Sequence, residues 1–312
     1  MTYFTIFLVL VGLISWKPTF AAPIPSQEIK QVVGFIFVQR NKEGKWDPKG
    51  KWEPNGTAFF VGIDDTKDPG RMFVYLVTAK HVLQYQPDPK NRSRQEWFPE
   101  ARLRLNTTDG QADFVRGPIV ISGDKKNVFL HEEDKTVDIA VLPVGIDRKR
   151  FEFKAVPQQM ITTEKDFRDL QITEGSEVFF TGLFTPYLGV RRNYPIIRFG
   201  KVSLITEEKI KFDNVEANLY LIESGSFGGN SGSPVYFYLG ADRRPGTLTL
   251  GDPILKLAGV MSGTFLDLQP ITVVETSQIP VARSSMGIAA VVPAYKLHEI
   301  LFGKELTKTR SK

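Results

Sequence analysis

The chain has 312 residues, of which 42% are hydrophobic and 24% charged, with a formal net charge of +5 and no cysteine. This composition is ordinary for a globular protein, so it excludes a disordered chain and a disulfide scaffold. The 40 basic residues are scattered and matched by 35 acidic ones. The surplus charge therefore does not predict a nucleic-acid-binding surface, and no nucleic-acid partner is expected.

The first 21 residues are predicted to be a signal peptide. Residues 3–16 are almost entirely apolar, which is short for a bilayer span but typical of a signal h-region. Small residues precede Ala22, the expected mature start. No Lys or Arg precedes the apolar stretch, so an uncleaved membrane anchor stays the alternative. In both cases we expect an exported protein, periplasmic or secreted, with membrane contact only if the segment is uncleaved.

Short apolar or alternating runs bounded by turn-forming residues recur along the rest of the chain, as expected of an all-β protein. Twelve such runs predict two six-stranded antiparallel β-barrels. The predicted strands are residues 32–39, 58–63, 73–78, 102–106, 119–122, 139–143, 177–182, 195–205, 217–222, 234–238, 255–263 and 286–292.

This pattern divides the chain into successive units. An N-terminal barrel is predicted at 32–144, a polar linker at 145–169 and a C-terminal barrel at 170–292. A helix is predicted at 293–303, because a proline opens its apolar pattern and a glycine closes it.

Three segments carry residue types used in nucleophilic catalysis. Segment 228–234 reads Gly-Gly-Asn-Ser-Gly-Ser-Pro, and its glycines permit a tight turn that aims N–H groups at one point beside Ser231. Upstream, 76–83 reads Leu-Val-Thr-Ala-Lys-His-Val-Leu and 137–142 reads Val-Asp-Ile-Ala-Val-Leu. A serine hydroxyl needs a base to attack, imidazole suits that role with a pKa near ~6.5, and a carboxylate fixes the imidazole tautomer.

These segments resemble those of the trypsin and chymotrypsin family of serine peptidases, in particular its cysteine-free bacterial branch related to the Htr proteases. The resemblance covers the chain apart from its ends. It implies a chymotrypsin-like fold, with His81 as general base, Asp138 as its orienting carboxylate and Ser231 as nucleophile. The N–H groups of Gly229 and Ser231 are the implied oxyanion donors.

The resemblance also implies a substrate site. Gly225 falls on the floor of the first specificity pocket, where enzymes that prefer Arg or Lys place a carboxylate. Ser262, Gly263 and Thr264 form the wall strand whose backbone pairs with an extended substrate, and Gly287 forms the opposite wall. We therefore expect cleavage after small or medium apolar residues rather than basic ones.

Two positions depart from the family pattern. Ser233 stands where glycine is commoner. Asn230 stands where zymogens place an aspartate that pairs with a freshly cut N-terminus, so we expect activity without any cut beyond signal removal. The short tail after residue 303 leaves no room for a C-terminal PDZ domain.

Each candidate residue also has an ordinary interpretation: Ser231 as a turn serine, His81 as a core histidine, Asp138 as a strand opener. To replace the catalytic interpretation, all three ordinary interpretations would have to be true at once, for residues that also stand in the order His, Asp, Ser of the family. His131 stands among acidic residues and is interpreted as part of a solvated loop. His298 falls on the helix pattern; as a base it would give the order of α/β-hydrolases, whose Gly-x-Ser-x-Gly motif is missing.

The sequence thus predicts an exported serine endopeptidase that hydrolyses protein or peptide substrates through an acyl-enzyme intermediate. The lack of cysteine in an exported chain favours a bacterial source. No cofactor is expected, and no cluster at ligand spacing predicts a metal site. The alternative is a catalytically weak peptide-binding relative of the same fold.

Overall fold

The structure, a computed structural model, describes residues 27–88, 91, 94–213, 215–225, 228–240, 253–270 and 281–311. The predicted signal peptide at residues 1–21 lies outside these ranges. Among the residues that are described, none of the helices combines the length and the apolar character needed to cross a membrane.

Strands dominate both halves of the chain. The first half contains β1 (Val33–Arg40), β2 (Lys51–Asp64), β3 (Met72–Thr78), β4 (Gln84–Tyr85), β5 (Glu96–Trp97), β6 (Glu100–Asn106), β7 (Ala112–Pro118), β8 (Ala140–Pro143) and β9 (Val156–Pro157). The second half contains β10 (Glu177–Gly182), β11 (Ile196–Leu204), β12 (Ile210–Phe212), β13 (Val215–Ala217), β14 (Tyr220–Glu223), β15 (Pro234–Leu239), β16 (Ile254–Pro270) and β17 (Val281–Pro293).

Helical segments are short and lie between or after the strands. They are 3-10 helices at Gln27–Val32, Lys80–Leu83 and Gln158–Met160, and α-helices α1 (Glu164–Asp169), α2 (Ala294–Leu301) and α3 (Lys304–Ser311).

The second half forms a closed antiparallel barrel in the order β10-β11-β14-β17-β16-β15. Alternate residues of its strands point inward, as the two-residue period of a strand requires. On β10 and β15 these include Phe180 and Phe237, which pack against the small side chains of Ala258 and Ala289. This barrel confirms the predicted all-β class.

The first half forms a sheet in the order β7-β6-β1-β2-β3-β8, with β9 added beside β2. No ladder joins β7 to β8 within the described residues. The segment between them bridges the gap instead: Asn127 N–H donates to the Val120 carbonyl at 2.9 Å, and Phe129 exchanges backbone hydrogen bonds with Val141. The ladders therefore show one closed barrel, in the second half.

The strand predicted at 119–122 is wrong, because the edge strand is β7, which ends at Pro118. Proline has no N–H to donate, so the ladder stops there. Ile119 turns inward and is buried with the core of the first sheet. In this connection Ile119 alone is buried, while Ile121 is 43% exposed. Strand β7 is half-exposed and has no strong apolar pattern.

A shared core joins the two halves. Phe59 and Val61 of β2 belong to the same buried cluster as Phe179 of β10, Tyr236 of β15 and Leu297 of α2. Helix α2 agrees with the helix predicted from the sequence, and Leu297 is fully buried, which contributes about 1.5–3 kcal/mol. Helix α3 was not predicted, since it buries little beyond one leucine.

Candidate active site

His81 and Asp138 come together where two neighbouring strands meet. Thr78 at the end of β3 pairs with Ala140 at the start of β8. The segment that follows β3 and contains His81 therefore lies beside the segment that precedes β8 and contains Asp138. His81 Nδ1 lies 2.7 Å from Asp138 Oδ2. The His81 backbone N–H donates to Asp138 Oδ1 at 3.0 Å. These two contacts fix both the ring and the carboxylate.

Ser262 on β16 provides a third contact to the same carboxylate. Its hydroxyl donates to Asp138 Oδ2 at 2.6 Å, the oxygen that also contacts His81. The Asp138 side chain is 18% exposed and the His81 side chain 46% exposed. The carboxylate is therefore more buried than the imidazole, which is open to solvent.

The charges of the pair shift both pKa values. Loss of hydration lowers the pKa of His81, but the charge and hydrogen bond of Asp138 outweigh it, so the pKa lies above its ordinary value. Burial raises the pKa of Asp138, but the His81 charge and the hydrogen bonds of His81 and Ser262 bring it below its ordinary value. Asp213 adds to the rise at His81, and Lys80 opposes it. The arrangement thus favours an ionised carboxylate beside the imidazole.

Ser231 lies in a tight turn that precedes β15. Gly229 and Gly232 have φ values of +97° and +83°, in the left-handed region that favours glycine. A Cβ on Gly232 would lie 2.1 Å from the Thr57 carbonyl oxygen. The Ser231 carbonyl accepts from Thr57 N–H at 2.9 Å, and Gly232 N–H donates to the Met261 carbonyl at 2.8 Å. The turn is therefore bonded to both sheets.

The Ser231 hydroxyl donates to the carbonyl of Ser262 at 3.0 Å. In the described part of the chain, no hydrogen bond joins Ser231 to His81. The structure thus brings Ser231, His81 and Asp138 into one cluster linked through Ser262. The serine of this resting state is turned toward the strand rather than toward the imidazole.

Two backbone N–H donors at Ser231 and Gly229 have no partner in the part of the chain that the structure describes. The carbonyls of Gly228 and Gly229 accept hydrogen bonds from the hydroxyls of Thr185 at 3.1 Å and Thr57 at 2.9 Å. The N–H groups of Gly229 and Ser231 donate to no acceptor among the described residues. The Thr185 hydroxyl thus holds the peptide unit that carries the Gly229 N–H. The peptide unit that carries the Ser231 N–H is held by its own carbonyl, that of Asn230, which accepts from Ser233 N–H at 3.0 Å.

Gly287 lies beside Ser224, the residue that precedes Gly225. Strand β14 pairs with β17, and just beyond the ladder Ser224 N–H donates to the Gly287 carbonyl at 2.8 Å. Gly287 has φ +78°, and a Cβ there would meet open space. Gly225 is exposed. Neither Gly225 nor Gly287 therefore contributes a charged side chain to the space beside it.

Ser262, Gly263 and Thr264 form a continuous part of β16. The Thr264 hydroxyl donates to the carbonyl of Ile288 at 2.9 Å, which holds that side chain against β17. A Cβ on Gly263 would lie 2.8 Å from the ring of Phe212, the last residue of β12. The hairpin of β12 and β13 therefore covers the strand at this point, a contact that the sequence gave no sign of.

The other two histidines lie outside this cluster. The interpretation of His131 as part of a solvated loop is wrong: its side chain is 9% exposed and its Nε2 contacts Glu299 of α2. Its Nδ1 accepts from the Asp134 N–H at 2.9 Å. Helix α2 covers the loop, which local sequence could not indicate. His298 lies on α2 and stacks on Phe302.

Groups of three or more His, Asp or Glu side chains that could hold a metal ion are not found among the described residues.

Comparisons with known proteins give a fold-level likeness only. No protein-family model matches the chain, and no curated protein matches it. One similar solved structure is the apo form of the MamO protease domain from Magnetospirillum magneticum, at 15% identity and a TM-score of 0.46, covering 88% of this chain and 97% of that chain. At this similarity the match carries no argument about activity. The closed barrel and the C-terminal helix agree with the all-β fold class predicted from the sequence.

Proposed function

We propose that the protein is a serine endopeptidase in which Ser231 is the nucleophile, His81 the general base and Asp138 the group that orients the base. The observation that carries the proposal is the 2.7 Å contact between His81 and Asp138, linked through Ser262 to the serine of a glycine turn. Residue types, chain order and spatial arrangement all suit acyl transfer.

Catalysis begins when the Ser231 hydroxyl leaves the Ser262 carbonyl and turns to His81 Nε2. An extended substrate paired with β16 supplies an N–H that replaces the serine at that carbonyl. Ser231 Oγ then bonds to the substrate carbonyl carbon as His81 takes the hydroxyl proton. His81 next protonates the leaving amine as the C–N bond breaks, and water hydrolyses the acyl-enzyme by the same route.

The negative oxygen that develops during attack needs prepositioned donors. Gly229 and Ser231 supply the two N–H groups that have no acceptor within the described chain. Loss of one such donor typically costs about 10²–10³ in kcat. Because Thr57 and Thr185 hold the neighbouring carbonyls, little reorganisation is required when the charge forms.

We infer that the substrates are proteins or peptides in extended conformation. Ser262, Gly263 and Thr264 offer a backbone edge, and Gly225 with Gly287 border the pocket for the side chain before the scissile bond. Since neither glycine carries a charge, a small or medium apolar side chain suits the pocket better than Arg or Lys.

Export and the relationship to Htr proteases are further parts of the proposal. Export rests on the apolar stretch at residues 3–16, and the Htr relationship rests on the three sequence segments around His81, Asp138 and Ser231. A bacterial periplasmic or secreted location agrees with the absence of cysteine.

A second candidate function is peptide binding with weak catalysis. The observation that favours it is the hydrogen bond from Ser231 to the Ser262 carbonyl, which leaves the nucleophile unpaired with its base. Catalytic hydrogen bonds are often loose before substrate binds, so the endopeptidase is the better supported candidate.

Labelling with a fluorophosphonate probe distinguishes the two candidates. The endopeptidase requires covalent labelling at Ser231, lost in Ser231→Ala and strongly slowed in His81→Ala. Peptide hydrolysis should fall by roughly 10⁴–10⁶ in both variants. A wild-type chain that binds peptides but neither labels nor cleaves would establish the binding protein instead.

A further inference from the structure

In the described part of the chain, the buried guanidinium of Arg104 on β6 donates to uncharged groups. The residue is 8% exposed. Its Nη1 donates to Asn193 Oδ1 at 3.0 Å, and its Nη2 donates to the carbonyls of Gly189 and Val190, each at 3.1 Å. No carboxylate pairs with it among the described residues. Because a buried charge is costly unless hydrogen bonds compensate it, this contact favours one conformation of the backbone at 189–190.

Asn193 fixes the same segment a second time. Its backbone N–H donates to Asn106 Oδ1 at 2.7 Å, and its side-chain amide donates to the Arg104 carbonyl at 2.8 Å. Asn193 is 4% exposed. Residues 183–194, which we call the 183–194 loop, are therefore held against the first sheet by side chains of β6.

The tip of this fixed loop presents apolar side chains to solvent. Val190 is 93% exposed, Tyr187 59% and Tyr194 47%, and the two tyrosine rings stack with centroids 6.0 Å apart. Arg191 is exposed and has no ion-pair partner in the described chain, whereas Arg192 lies 3.4 Å from Glu152. A rigid apolar surface beside an unpaired cation is typical of a recognition surface.

The 183–194 loop contacts the glycine turn that contains Ser231. Thr185 donates to the Gly228 carbonyl at 3.1 Å, and a Cβ on Gly229 would lie 2.9 Å from Thr185 and 3.0 Å from Leu183. The strand at 262–264 contacts the opposite side of the site, through Asp138 and the Ser231 hydroxyl. A substrate that is paired with that strand and cut at Ser231 would continue past the turn, on the side where the loop lies.

We propose that the 183–194 loop binds the part of the substrate that follows the scissile bond. The surface of Tyr187, Val190 and Tyr194 takes an apolar side chain, and Arg191 takes a carboxylate next to it. The preferred substrate segment thus combines an apolar and an acidic residue on the leaving-group side. This inference rests on the proposed function, because it takes the scissile bond to lie at Ser231.

Quenched peptides that differ only after the cut test the charge preference. All share one sequence before the scissile bond and carry Leu-Glu, Leu-Gln or Leu-Lys after it, with an amidated C-terminus. We expect kcat/KM to fall about fivefold from Glu to Gln and again from Gln to Lys, as for an exposed ion pair. A fourth peptide with Leu-Gln and a free C-terminal carboxylate shows whether Arg191 also accepts a chain end.

Variants of the loop tip assign the preference to its residues. Arg191→Gln should abolish the difference between Glu and Gln, whereas Arg168→Gln on α1, an exposed arginine outside the site, should retain it. Val190→Ser should weaken the preference for Leu over Ser after the cut. Equal rates for Glu, Gln and Lys in the wild type, or an unchanged preference in Arg191→Gln, would overturn the proposal.

Fluorophosphonate labelling separates this proposal from the proposed function. The probe has no peptide on the leaving-group side, so Arg191→Gln and Val190→Ser should label at the wild-type rate. If the wild type does not label, the proposed function fails, and the loop is tested by fluorescence anisotropy of the Leu-Glu peptide with Ser231→Ala. Weaker binding after adding Arg191→Gln would support the loop's role; equal binding would refute it.

Discussion

The hydroxyl of Ser262 donates to Asp138 Oδ2 at 2.6 Å, and the carbonyl of the same Ser262 accepts from the Ser231 hydroxyl. One residue of β16 thus contacts both the carboxylate and the nucleophile of the proposed triad. Its backbone is also the edge on which we expect the substrate to pair. Under the proposed function, we expect substrate pairing and release of Ser231 toward His81 to be coupled through this residue.

The pH dependence of activity should reflect the raised pKa of His81. A general base must be neutral, so kcat/KM should rise with pH through an apparent pKa above ~6.5. Stability has the opposite sign: the protonated imidazole stabilises the fold below the unfolded pKa, and this contribution is lost as pH rises through the folded pKa. Initial rates of hydrolysis of one peptide, measured from pH 5 to 9, give the apparent pKa.

Asp138→Asn is the matched variant for that profile. It removes the charge that raises the pKa of His81 and the acceptor that selects its tautomer. We expect the apparent pKa to fall and kcat to drop by about 10⁴. An unchanged pH profile in Asp138→Asn would show that another group controls the titration.

Ser262→Ala should weaken catalysis without weakening substrate binding. The variant removes a charge-assisted hydrogen bond to Asp138 but keeps the backbone edge of β16. Such a bond is worth about 1.5–3 kcal/mol, so we expect kcat to fall by about ten- to a hundredfold with KM little changed. Ser176→Ala, a serine remote from the site, is the control. A rise in KM with unchanged kcat would contradict a role through Asp138.

Gly225→Asp should change the residue preferred before the cut. A carboxylate on the pocket floor pairs with a substrate cation, while the wild-type glycine has no charge to offer. We expect the wild type to cleave after Ala, Val or Leu and the variant to gain cleavage after Arg or Lys. Mass-spectrometric mapping of cuts in a denatured protein mixture measures both. A wild type that already cuts mainly after Arg or Lys would refute the pocket assignment.

The contact between His81 and Asp138 across adjacent strand ends was expected from the resemblance of their segments to a serine-peptidase family. His81 and Asp138 each stand next to a short apolar run, and Ser231 stands in a glycine turn, so each carried a signal of its own. Ser262 was predicted only as a residue whose backbone pairs with the substrate. The reach of its hydroxyl to Asp138 depends on how the barrel packs against the first sheet, which no local pattern reports.

Dependence on long-range packing also explains the predictions that were wrong. Residues 119–122 form a connection in which Ile119 packs into the core of the first sheet while Ile121 stays exposed. Strand β7 was missed because an exposed edge strand needs no apolar face. His131 looked solvated because its neighbours are acidic, yet Glu299 of a distant helix covers it. Burial created by long-range packing is what the sequence did not reveal.

An added N-terminal tag should leave the protein active. Asn230, which precedes the nucleophile, is 2% exposed and donates to the Leu183 carbonyl at 2.7 Å, so its side chain is already bonded and carries no charge for an ammonium. Residues 22–312 with a tag should label with fluorophosphonate at the rate of the untagged chain. A tagged protein that labels only after the tag is removed would contradict this expectation.

Replacing His131 should destabilise the fold, contrary to the small effect expected of a solvated loop. Burial raises the pKa of Glu299, but hydrogen bonds from His131 and Lys296 outweigh it and lower that pKa below its ordinary value. The carboxylate therefore stabilises the fold above its unfolded pKa, and this contribution is lost as pH falls through the lower folded value. His131→Ala should reduce the free energy of unfolding by about 1–3 kcal/mol at pH 7.

Urea denaturation of His131→Ala, Glu299→Gln and the double variant at pH 7 and pH 4 measures the coupling energy between the two side chains, which should shrink at the lower pH. Additive effects of the two single substitutions would show that the contact between the loop and α2 contributes no stability.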